Sequence, residues 1–269
     1  MYEQIIVIVG MPRSGTSWLS QIIDSCLEVR FRLSPFFSYA FKNAVTETST
    51  KEEYKDVFDG AYLAHDDFME QTRNRERDHY PTFEKKNTDA EYLAIKMTRF
   101  HNLIPTMLKY FENMKMVAIV RHPCGAIHSW LTTPKEFPQN ADPRVEWRTG
   151  KCRKTGPEEF WGFEDWKAVT RLHVQLEKEY PGNFFLMQYE DLVNEPVAIT
   201  KELFRFLGLV YTSQTEEFLV DSQNRHDNDP YATFKHPGVK DRWRSSLQPQ
   251  IQTEIIREIE QTDLERFLK

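Results

Sequence analysis

The chain has 269 residues, a formal net charge of −6, a hydrophobic content of 40% and an aromatic content of 13%. This composition excludes a disordered protein and argues against a nucleic-acid-binding protein, although a local basic site is compatible with it. The three cysteines are odd in number and far apart, so neither a disulfide framework nor a zinc site is predicted.

The N-terminus leads directly into an apolar run, with no signal peptide before it. No apolar run in the sequence approaches the length of a membrane span. We therefore expect a cytoplasmic protein, provided that the chain is complete. The sequence contains no internal repeat and no Gly/Ser linker, so residues 1–269 are predicted to form one domain.

The first predicted elements are a strand, a glycine-bearing loop and a helix. The run from Ile5 to Val9 is apolar and β-branched and ends at Gly10, which favours a buried strand. Residues 10–17 form the loop, and apolar residues then recur with helical spacing over 18–27. This order is typical of a phosphate-binding loop, because the loop N–H groups and the positive end of the helix dipole attract anions.

The loop differs from a nucleotide-triphosphate loop in the position of its cation. Gly10 and Gly15 have the spacing of the pattern G-x-x-x-x-G-K-[ST], but Thr16 stands where that pattern has lysine. The cation comes earlier, at Arg13, and Ser17 adds a further hydroxyl. A kinase without the lysine would lose its contact with the β- and γ-phosphates, so the loop predicts a different nucleotide. A tight turn that binds no ligand is the alternative interpretation.

The segment after the first helix carries no recognisable motif. The aromatic side chains of residues 29–44 either fill the core or line a ligand pocket. A cluster of one histidine and three carboxylates lies downstream: His65, Asp66, Asp67 and Glu70. Such a cluster is a metal site, a catalytic base or, more often, a solvated helix face.

Three further short apolar runs favour strands, at residues 92–97, 115–120 and 184–189. Strands that alternate with helical patterns predict a mostly parallel sheet with helices on both faces. Ligands of such sheets bind at the carboxyl ends of the strands. Arg13, Lys96 and Arg121 each lie at or just after such an end, so we expect them to meet at one edge of the sheet.

Residues 139–154 form a polar and mostly basic stretch. Its cations outnumber its carboxylates: Arg144, Arg148, Lys151, Arg153 and Lys154 face only Asp142 and Glu146. The stretch is interpreted as a mobile lid, as a basic edge for an anionic ligand or as a solvated loop.

Four segments of the sequence, taken together, resemble one enzyme family. Residues 12–18, PRSGTSW, resemble the 5′-phosphosulfate loop of sulfotransferases that use 3′-phosphoadenosine 5′-phosphosulfate (PAPS). Residues 117–130, VAIVRHPCGAIHSW, resemble the 3′-phosphate motif of that family, and residues 189–192, YEDL, resemble an element near its adenine. Residues 236–243, HPGVKDRW, look like its late loop, although His236-Pro237 stands where the family commonly has Arg-Lys.

The resemblance implies a P-loop nucleotide-kinase-like α/β fold with one site for PAPS and its product 3′-phosphoadenosine 5′-phosphate (PAP). Arg121 and Ser129 would hold the 3′-phosphate, and Trp18 either stacks on the adenine or belongs to the core. Lys235 or Lys240 would replace the missing Arg-Lys pair. The donor-binding residues implied in this way are Arg13, Ser14, Gly15, Thr16, Ser17, Trp18, Arg121, Ser129, Tyr189, Lys235, Gly238 and Lys240.

The reaction implied by the resemblance is sulfuryl transfer from PAPS to an acceptor hydroxyl without a metal ion. Like phosphoryl transfer, it depends on alignment and charge stabilisation more than on covalent catalysis. Arg13 would neutralise the departing phosphate, and Lys96 would stabilise the sulfuryl oxygens, by analogy with a lysine at this strand end.

The general base departs from the family pattern. The positions where relatives carry it hold Thr98 and Ser34 in this sequence. His101, five residues after Lys96, is therefore the first candidate for the base, and His65 is the second.

The acceptor and the competing functions stay open at this point. The aromatic residues favour a lipid, a phenol or a polyketide-like alcohol, whereas the basic residues of 144–154 favour a carbohydrate or another anionic acceptor. One alternative function is a small-molecule or nucleotide kinase that depends on ATP and Mg²⁺. The other is a protein that binds PAP without turnover. No nucleic-acid partner and no membrane span are expected, and the sequence makes no prediction of the oligomeric state.

Overall fold

A parallel sheet of five strands lies at the centre of the fold. The computed structural model describes residues 2–269. The strands are β1 (Gln4–Val9), β2 (Val29–Leu33), β3 (Tyr92–Met97), β4 (Lys115–Val120) and β5 (Phe184–Gln188). Their spatial order is β2-β3-β1-β4-β5, which places β1 in the middle. Because every neighbouring pair is parallel, the carboxyl ends of all the strands lie at one edge.

The predicted α/β class and parallel sheet are confirmed, but the sequence pattern does not predict β2. Two arginines interrupt its apolar residues, and this polarity hides the strand from a search for apolar runs. Arg32 is nevertheless buried, because its guanidinium donates to the carbonyl oxygens of Ala61 and Ala64, each at 2.9 Å. Backbone acceptors thus allow a cation inside an edge strand.

The register aligns the ends of the strands that carry the candidate residues. Val9 pairs with Met97 on one side and with Ala118 on the other. Lys96 pairs with Ile8, so its side chain lies beside the start of the loop that follows β1. Residues that are about 90 positions apart in sequence are therefore neighbours at this edge.

Helices cover both faces of the sheet. The α-helices are α1 (Thr16–Asp24), α2 (Lys51–Leu63), α3 (Asp67–Glu70), α4 (Thr72–Glu76), α5 (Ile104–Tyr110), α6 (Pro123–Leu131), α7 (Pro143–Thr149), α8 (Gly162–Glu179), α9 (Tyr189–Asn194), α10 (Pro196–Leu207), α11 (Ser213–Asn224), α12 (Trp243–Ser246) and α13 (Pro249–Ile259). Short 3₁₀ helices cover Pro35–Phe37, His101–Leu103, Pro237–Asp241 and Glu265–Leu268. Within residues 2–269, no helix is both long enough and apolar enough to cross a membrane.

The side chains of β1 alternate between two cores. Ile6 and Ile8 pack with residues of α1, α10 and α11, whereas Val7 and Val9 pack with residues of α2 and α5. A third cluster joins α6, α8 and α13. The continuous apolar run of β1 follows from this arrangement, because both faces of the strand are buried.

The aromatic segment 29–44 contributes mainly to the core. Phe31 and Phe36 are buried among the two clusters that flank β1, whereas Tyr39 is fully exposed. Phe36 packs edge-on against Tyr54 of α2, with 6.3 Å between the ring centroids. Packing therefore accounts for the buried aromatic residues of this segment.

Residues 139–154 contain the short helix α7, and two of their cations form ion pairs. Trp147 of α7 is buried, and Lys154 lies 2.6 Å from Asp165. Arg148 forms ion pairs with carboxylates of α8 and α13: Glu164 at 2.9 Å, Glu254 at 3.1 Å and Glu258 at 2.6 Å. Arg148 thus holds α7 against its neighbours, and none of the five cations of this stretch lines either of the two cavities described below.

Candidate functional site

Two adjoining cavities open at the carboxyl ends of the strands, around the loop between β1 and α1. The small cavity has a volume of about 140 Å³, and the large cavity has a volume of about 710 Å³. Arg13, Thr16, Ser17 and Tyr231 line both cavities, so the loop after β1 lies at their boundary. This is the edge at which ligands of parallel sheets bind.

The small cavity brings together most of the residues predicted to bind a nucleotide. It is lined by Arg13, Gly15, Thr16, Ser17, Trp18, Arg121, Ser129, Tyr189 and Lys235. These residues come from the loop after β1 and the first turn of α1, from the β4–α6 segment, from the start of α9 and from the loop after α11. The structure therefore joins sequence segments that were recognised separately.

Three of the predicted residues do not line either cavity. Ser14 is buried beneath the loop, and its hydroxyl has no hydrogen-bond partner among residues 2–269. Lys240 donates to the side chain of Asn194 on α9 instead. Gly238 donates its N–H to Nδ1 of His236 at 3.1 Å, so the His236-Pro237 pair begins a 3₁₀ helix. Lys235 is thus the cation of the late segment that faces the small cavity.

The two glycines of the loop are needed for different physical reasons. Gly15 has a φ of 92°, and a Cβ there would lie 2.4 Å from the ring of Tyr189. A Cβ at Gly10 would lie 2.7 Å from the carbonyl oxygen of Ile119 on β4. Gly10 therefore permits close packing of the loop against the sheet, whereas Gly15 permits both the left-handed turn and the approach of Tyr189.

Arg13 connects the two cavities. Its Nε lies 3.2 Å from Oγ of Ser129, and its Nη2 donates to the carbonyl oxygen of Pro230 at 2.9 Å. The carboxylate of Glu136 lies 3.6 Å from the same Nε, on the side of the large cavity. The predicted cation therefore stands between the 3′-phosphate motif and the large cavity.

Arg121 is a buried cation with unused donors. The residue is 6% exposed, its Nη1 donates to the carbonyl oxygen of Arg13 at 3.1 Å, and its guanidinium lies 4.8 Å from the centre of the Tyr189 ring. Its Nε has no hydrogen-bond partner among residues 2–269. Gly125 leaves room for this side chain, because a Cβ there would lie 2.9 Å from that Nε. A buried cation of this kind is suited to an anionic ligand.

Trp18 belongs to the core and also lines the small cavity. Its Nε1 donates to Oγ of Ser222 on α11 at 2.9 Å, which fixes the orientation of the indole. The two interpretations of Trp18 from the sequence are therefore compatible. Ser222 is a supporting residue that no sequence motif indicated.

Lys96 is the buried cation of the large cavity. The residue is 8% exposed, and its Nζ lies 2.7 Å from Oγ of Ser17. Burial lowers the pKa of Lys96 to about 8, with the positive charge of Arg13 in the same direction and the carboxylate of Glu136 opposed to it. The predicted meeting of Arg13, Lys96 and Arg121 at one edge is therefore present in the structure.

Charged side chains line much of the remainder of the large cavity. Its cations, besides Arg13 and Lys96, are Arg73, Arg77 and Lys135, and its carboxylates are Asp67, Glu136 and Asp229. The apolar part of the lining consists of Leu33, Phe68 and Pro12, together with the rings of Tyr80 and Tyr231. The lining is thus more basic than the chain as a whole, whose formal net charge is −6.

A family model described as the sulfotransferase family matches residues 5–213. The chain belongs to the sulfotransferase family. The match includes the loop after β1, the β4–α6 segment and Tyr189, so the resemblance predicted from these motifs is confirmed.

The curated relatives of this sulfotransferase are distant in sequence. Carbohydrate sulfotransferase 3 of Tetronarce californica is 24% identical over 173 residues, which are 58% of this chain and 37% of that protein. The "Putative protein-tyrosine sulfotransferase" of Caenorhabditis briggsae is 23% identical over 218 residues, which are 79% of this chain and 68% of that protein. This chain thus spans little more than a third of the first relative and about two thirds of the second.

Solved sulfotransferase structures share the fold. The crystal structure of mouse sulfotransferase SULT7A1 complexed with PAP has a TM-score of 0.55 at 17% identity, and covers 100% of this chain and 89% of that chain. The sulfotransferase domain from the Synechococcus PCC 7002 olefin synthase has a TM-score of 0.54 at 16% identity, over 95% of this chain and 93% of that chain. At these identities the likeness is one of fold, and it agrees with the predicted α/β architecture.

The structure does not bring His101, the first candidate for the general base, to the sulfotransferase site. The residue is 1% exposed, and its ring packs 4.9 Å from Phe160 and 5.4 Å from His173, between ring centroids. Neither ring nitrogen has a hydrogen-bond partner among residues 2–269, and burial lowers the pKa of His101 to about 3. His101 is a core residue that lines neither cavity, so its assignment as the base is corrected.

His65, the second candidate, is also outside both cavities. Its side chain is 93% exposed, and its Nδ1 lies 3.6 Å from Oε1 of Glu70. Asp66 accepts a hydrogen bond from the N–H of Met69 at 2.8 Å and caps α3. The cluster of His65 and its carboxylates is therefore a helix cap with a surface ion pair.

Several site residues carry no sequence signal. His79, Tyr80, Glu136 and Tyr231 line the large cavity, but they lie in loops without a motif. Their positions depend on contacts between distant segments, such as the hydrogen bond from Thr233 to the carbonyl oxygen of His79. A search for apolar runs or short sequence patterns cannot detect such contacts.

Proposed function

We propose that this sulfotransferase transfers the sulfuryl group of PAPS to an acceptor hydroxyl, with PAPS in the small cavity and the acceptor in the large cavity. The observation that carries the proposal is the convergence of the predicted phosphate ligands on one cavity. The loop after β1, the β4–α6 segment and Tyr189 lie in three separate parts of the sequence, and each resembles a motif of the same family. Convergence of this kind is not expected of chance matches to short motifs.

The 3′-phosphate is assigned to Arg121 and Ser129. Arg121 is buried, faces the small cavity and has a donor without a partner in the described chain. Ser129 lines the same cavity, and its hydroxyl lies beside Arg13. A phosphate would satisfy the unused donors of Arg121 and compensate its buried charge.

Arg13 and Lys96 are assigned to the transferred group. Arg13 lines both cavities, and Lys96 approaches the boundary through its contact with Ser17. Cations at this boundary would stabilise negative charge on the sulfuryl oxygens and on the departing 5′-phosphate. The two cavities would place the acceptor hydroxyl and the leaving phosphate on opposite sides of the sulfur, as in-line transfer requires.

The lining of the large cavity supports a polar acceptor that carries a negative charge, such as an acidic sugar. Arg73, Arg77 and Lys135 face this cavity, and none of their side-chain charges has an ion-pair partner within residues 2–269. Lys135 does contact the Tyr231 ring, at 5.6 Å from its centroid. A lipid-like acceptor would leave the surplus of cations over carboxylates in this cavity without compensation, so we favour a small-molecule or carbohydrate hydroxyl.

This acceptor class is tested with pairs of hydroxyl compounds that differ in charge. With PAPS as donor, glucuronic acid should be sulfated with a lower KM than glucose, and the difference should shrink at high salt. Arg77→Ala should weaken the preference. A higher specificity for 2-naphthol than for both sugars would contradict the assignment of a polar acceptor.

The donor is tested by calorimetric titration with PAP beside ATP and Mg²⁺. Selective binding of PAP is expected, because Thr16 replaces the triphosphate lysine and because ATP has no 3′-phosphate for Arg121. Preference for ATP would make a kinase the better interpretation. Tight binding of PAP without turnover on any hydroxyl compound would favour a PAP-binding protein.

The assignment of the 3′-phosphate has its own test. Arg121→Ala should weaken PAP binding by about 1.5–3 kcal/mol, the range for a lost hydrogen bond to a charged group. Binding of adenosine 5′-phosphosulfate, which lacks the 3′-phosphate, should change little. Lys240→Ala is the control, since Lys240 lines neither cavity. Equal losses for both nucleotides would remove Arg121 from this role.

A further inference from the structure

One carboxylate faces the large cavity beside Arg13, and the sequence motifs give it no role. Glu136 follows α6 in a segment without a recognisable pattern. Its N–H donates to the carbonyl oxygen of Thr133 at 3.0 Å, and its own carbonyl oxygen accepts from Nε1 of the buried Trp130 at 3.3 Å. The backbone of Glu136 is therefore fixed against the end of α6.

The side chain of Glu136 has an unused acceptor in a buried position. Its Oε2 is inaccessible to solvent and has no hydrogen-bond partner among residues 2–269. Arg13 Nε lies 3.6 Å away, beyond hydrogen-bond distance, and this Nε lies closer to Ser129, at 3.2 Å. A buried carboxylate oxygen normally binds a donor. Oε1 is the oxygen left for an acceptor hydroxyl in the large cavity, since the side chain of Glu136 as a whole is 18% exposed and lines that cavity.

The position of Glu136 matches the side from which the acceptor would attack. Glu136 lines the large cavity and not the small one, whereas Arg13 lines both. Its charge also acts on Lys96, whose pKa is lowered by burial and raised in part by Glu136. Glu136 is therefore close to both cations that the proposed function assigns to the transferred group.

We propose that Glu136 is the general base of the reaction, an inference that rests on the proposed function. As the acceptor oxygen forms its bond to sulfur, its proton passes to the Glu136 carboxylate. The bond between sulfur and the 5′-phosphate oxygen breaks, and its electron pair leaves with PAP. The protonated Glu136 then returns its proton to water.

Two other roles are distinguishable from this one. Glu136 would be a positioning residue if its charge only oriented Arg13, and its loss would then weaken PAP binding. His79 is a rival base, because it lines the same cavity with its Nε2 3.9 Å from Oδ2 of Asp227. Glu136 is favoured over His79 because its carboxylate lies 3.6 Å from Nε of Arg13, the cation assigned to the transferred group.

The test compares acceptors that need a base with one that does not. Glu136→Gln and His79→Gln are assayed in the full chain for PAPS hydrolysis, in which water is the acceptor, and for transfer to ionised 4-nitrophenol. We expect Glu136→Gln to slow hydrolysis at least about 100-fold and transfer to 4-nitrophenolate less than about 5-fold. The Kd for PAP should stay within about 3-fold of the wild-type value. Glu112→Gln, at an exposed position, is the matched control.

Each other result overturns the assignment. Equal losses for water and 4-nitrophenolate, or a PAP Kd raised tenfold, would make Glu136 a positioning residue of Arg13. Hydrolysis retained in Glu136→Gln and lost in His79→Gln would transfer the role of base to His79. If Glu136→Gln does not fold, Glu136→Asp provides the comparison, with a partial and hydrolysis-selective loss expected. The wild-type titration with PAP is independent of all these results, so it tests the proposed function separately.

Discussion

At the scale of single residues, Lys96 shows that a charged residue of the site can lower the stability of the fold. Burial disfavours its charge and lowers its pKa from 10.5 to about 8. At neutral pH the buried charge therefore lowers the free energy of unfolding by roughly 3 kcal/mol, because each unit by which the pKa is lowered corresponds to about 1.4 kcal/mol. This net cost already includes the favourable charge of Glu136, and the ammonium group also donates a hydrogen bond to Ser17.

Replacement of this lysine should stabilise the protein and inactivate it. We expect Lys96→Met to raise the free energy of unfolding in urea at pH 7 by about 1–3 kcal/mol and to abolish sulfuryl transfer. Lys109→Met, at an exposed position, should change neither quantity. Loss of stability in Lys96→Met would mean that the charge is compensated in the fold.

The same pKa predicts a pH dependence of the reaction. In the free enzyme, Lys96 loses its proton above about pH 8, so kcat/KM for PAPS should fall there. The unfolded chain binds more protons between pH 8 and 10.5, so this residue makes stability rise with pH in that window. Lys96→Arg should move the fall in kcat/KM to higher pH, and an unmoved fall would assign it to another group.

His101 gives the opposite case of a buried residue without a site role. Its pKa is about 3 in the folded state against 6.5 in the unfolded state, so the unfolded chain binds the proton first as pH falls. Stability should therefore drop below pH 6.5, by about 2 kcal/mol at pH 5 from this residue. The neighbouring His173, whose pKa is also lowered by burial, adds to the same trend.

Replacement of His101 should reduce this acid sensitivity and spare the activity. We expect His101→Leu to keep sulfuryl transfer and to lose less stability between pH 7.5 and pH 5 than the wild type, by urea unfolding. His65→Ala, at the exposed histidine, should leave the acid sensitivity unchanged. Loss of transfer in a folded His101→Leu protein would return His101 to the site.

At the scale of elements, the loop from β1 to α1 is organised by its glycines. Gly15 precedes α1 in the left-handed conformation and leaves space for the Tyr189 ring, which in turn supports Arg121. Both requirements come from the absence of a Cβ. The loop, α9 and the β4–α6 segment are thus coupled through one glycine.

A methyl group at Gly15 should disrupt this arrangement. Gly15→Ala is expected to cost at least about 1–2 kcal/mol of stability, from the backbone conformation alone, and to weaken PAP binding more than tenfold through the displacement of Tyr189. Gly182→Ala is the matched control, because a Cβ there meets no atom within 4 Å. Urea unfolding and calorimetric titration measure the two effects. Equal effects of the two substitutions would show that the Tyr189 contact is unimportant.

At the scale of the whole molecule, the small cavity joins segments that are distant in sequence. Arg13 contacts Pro230, and Trp18 contacts Ser222, across separations of 217 and 204 residues. The loop after α11 has little regular structure, yet it supplies Thr233 and Lys235 to the cavity. A ligand in this cavity would link the loop to the edge of the sheet.

PAP binding should therefore protect this loop. We expect amide hydrogen exchange in residues 225–236 to slow at least about tenfold with saturating PAP, since a ligand that binds only the ordered state lowers the population of open states. Exchange in α2, which lines neither cavity, should stay unchanged. Uniform protection of both segments would indicate global stabilisation without a specific contact to the loop.

The sequence alone determined the central elements and half of the site. Short-range spacing sets strands, helices and the backbone of a tight loop, so β1, β3, β4, β5 and the loop after β1 were predictable. The positions of Arg13, Lys96 and Arg121 at strand ends followed from the parallel sheet. The predicted cytoplasmic location and the single-domain boundaries remain predictions.

Only the tertiary structure decided which other side chains share the cavities. It placed His101 in the core, used Arg148 and Lys154 in ion pairs, and brought Tyr80, Glu136 and Tyr231 to the large cavity. The physical reason is that cavity walls form where segments far apart in sequence pack together. A residue's exposure and its charged neighbours depend on that packing, and local sequence patterns do not encode it.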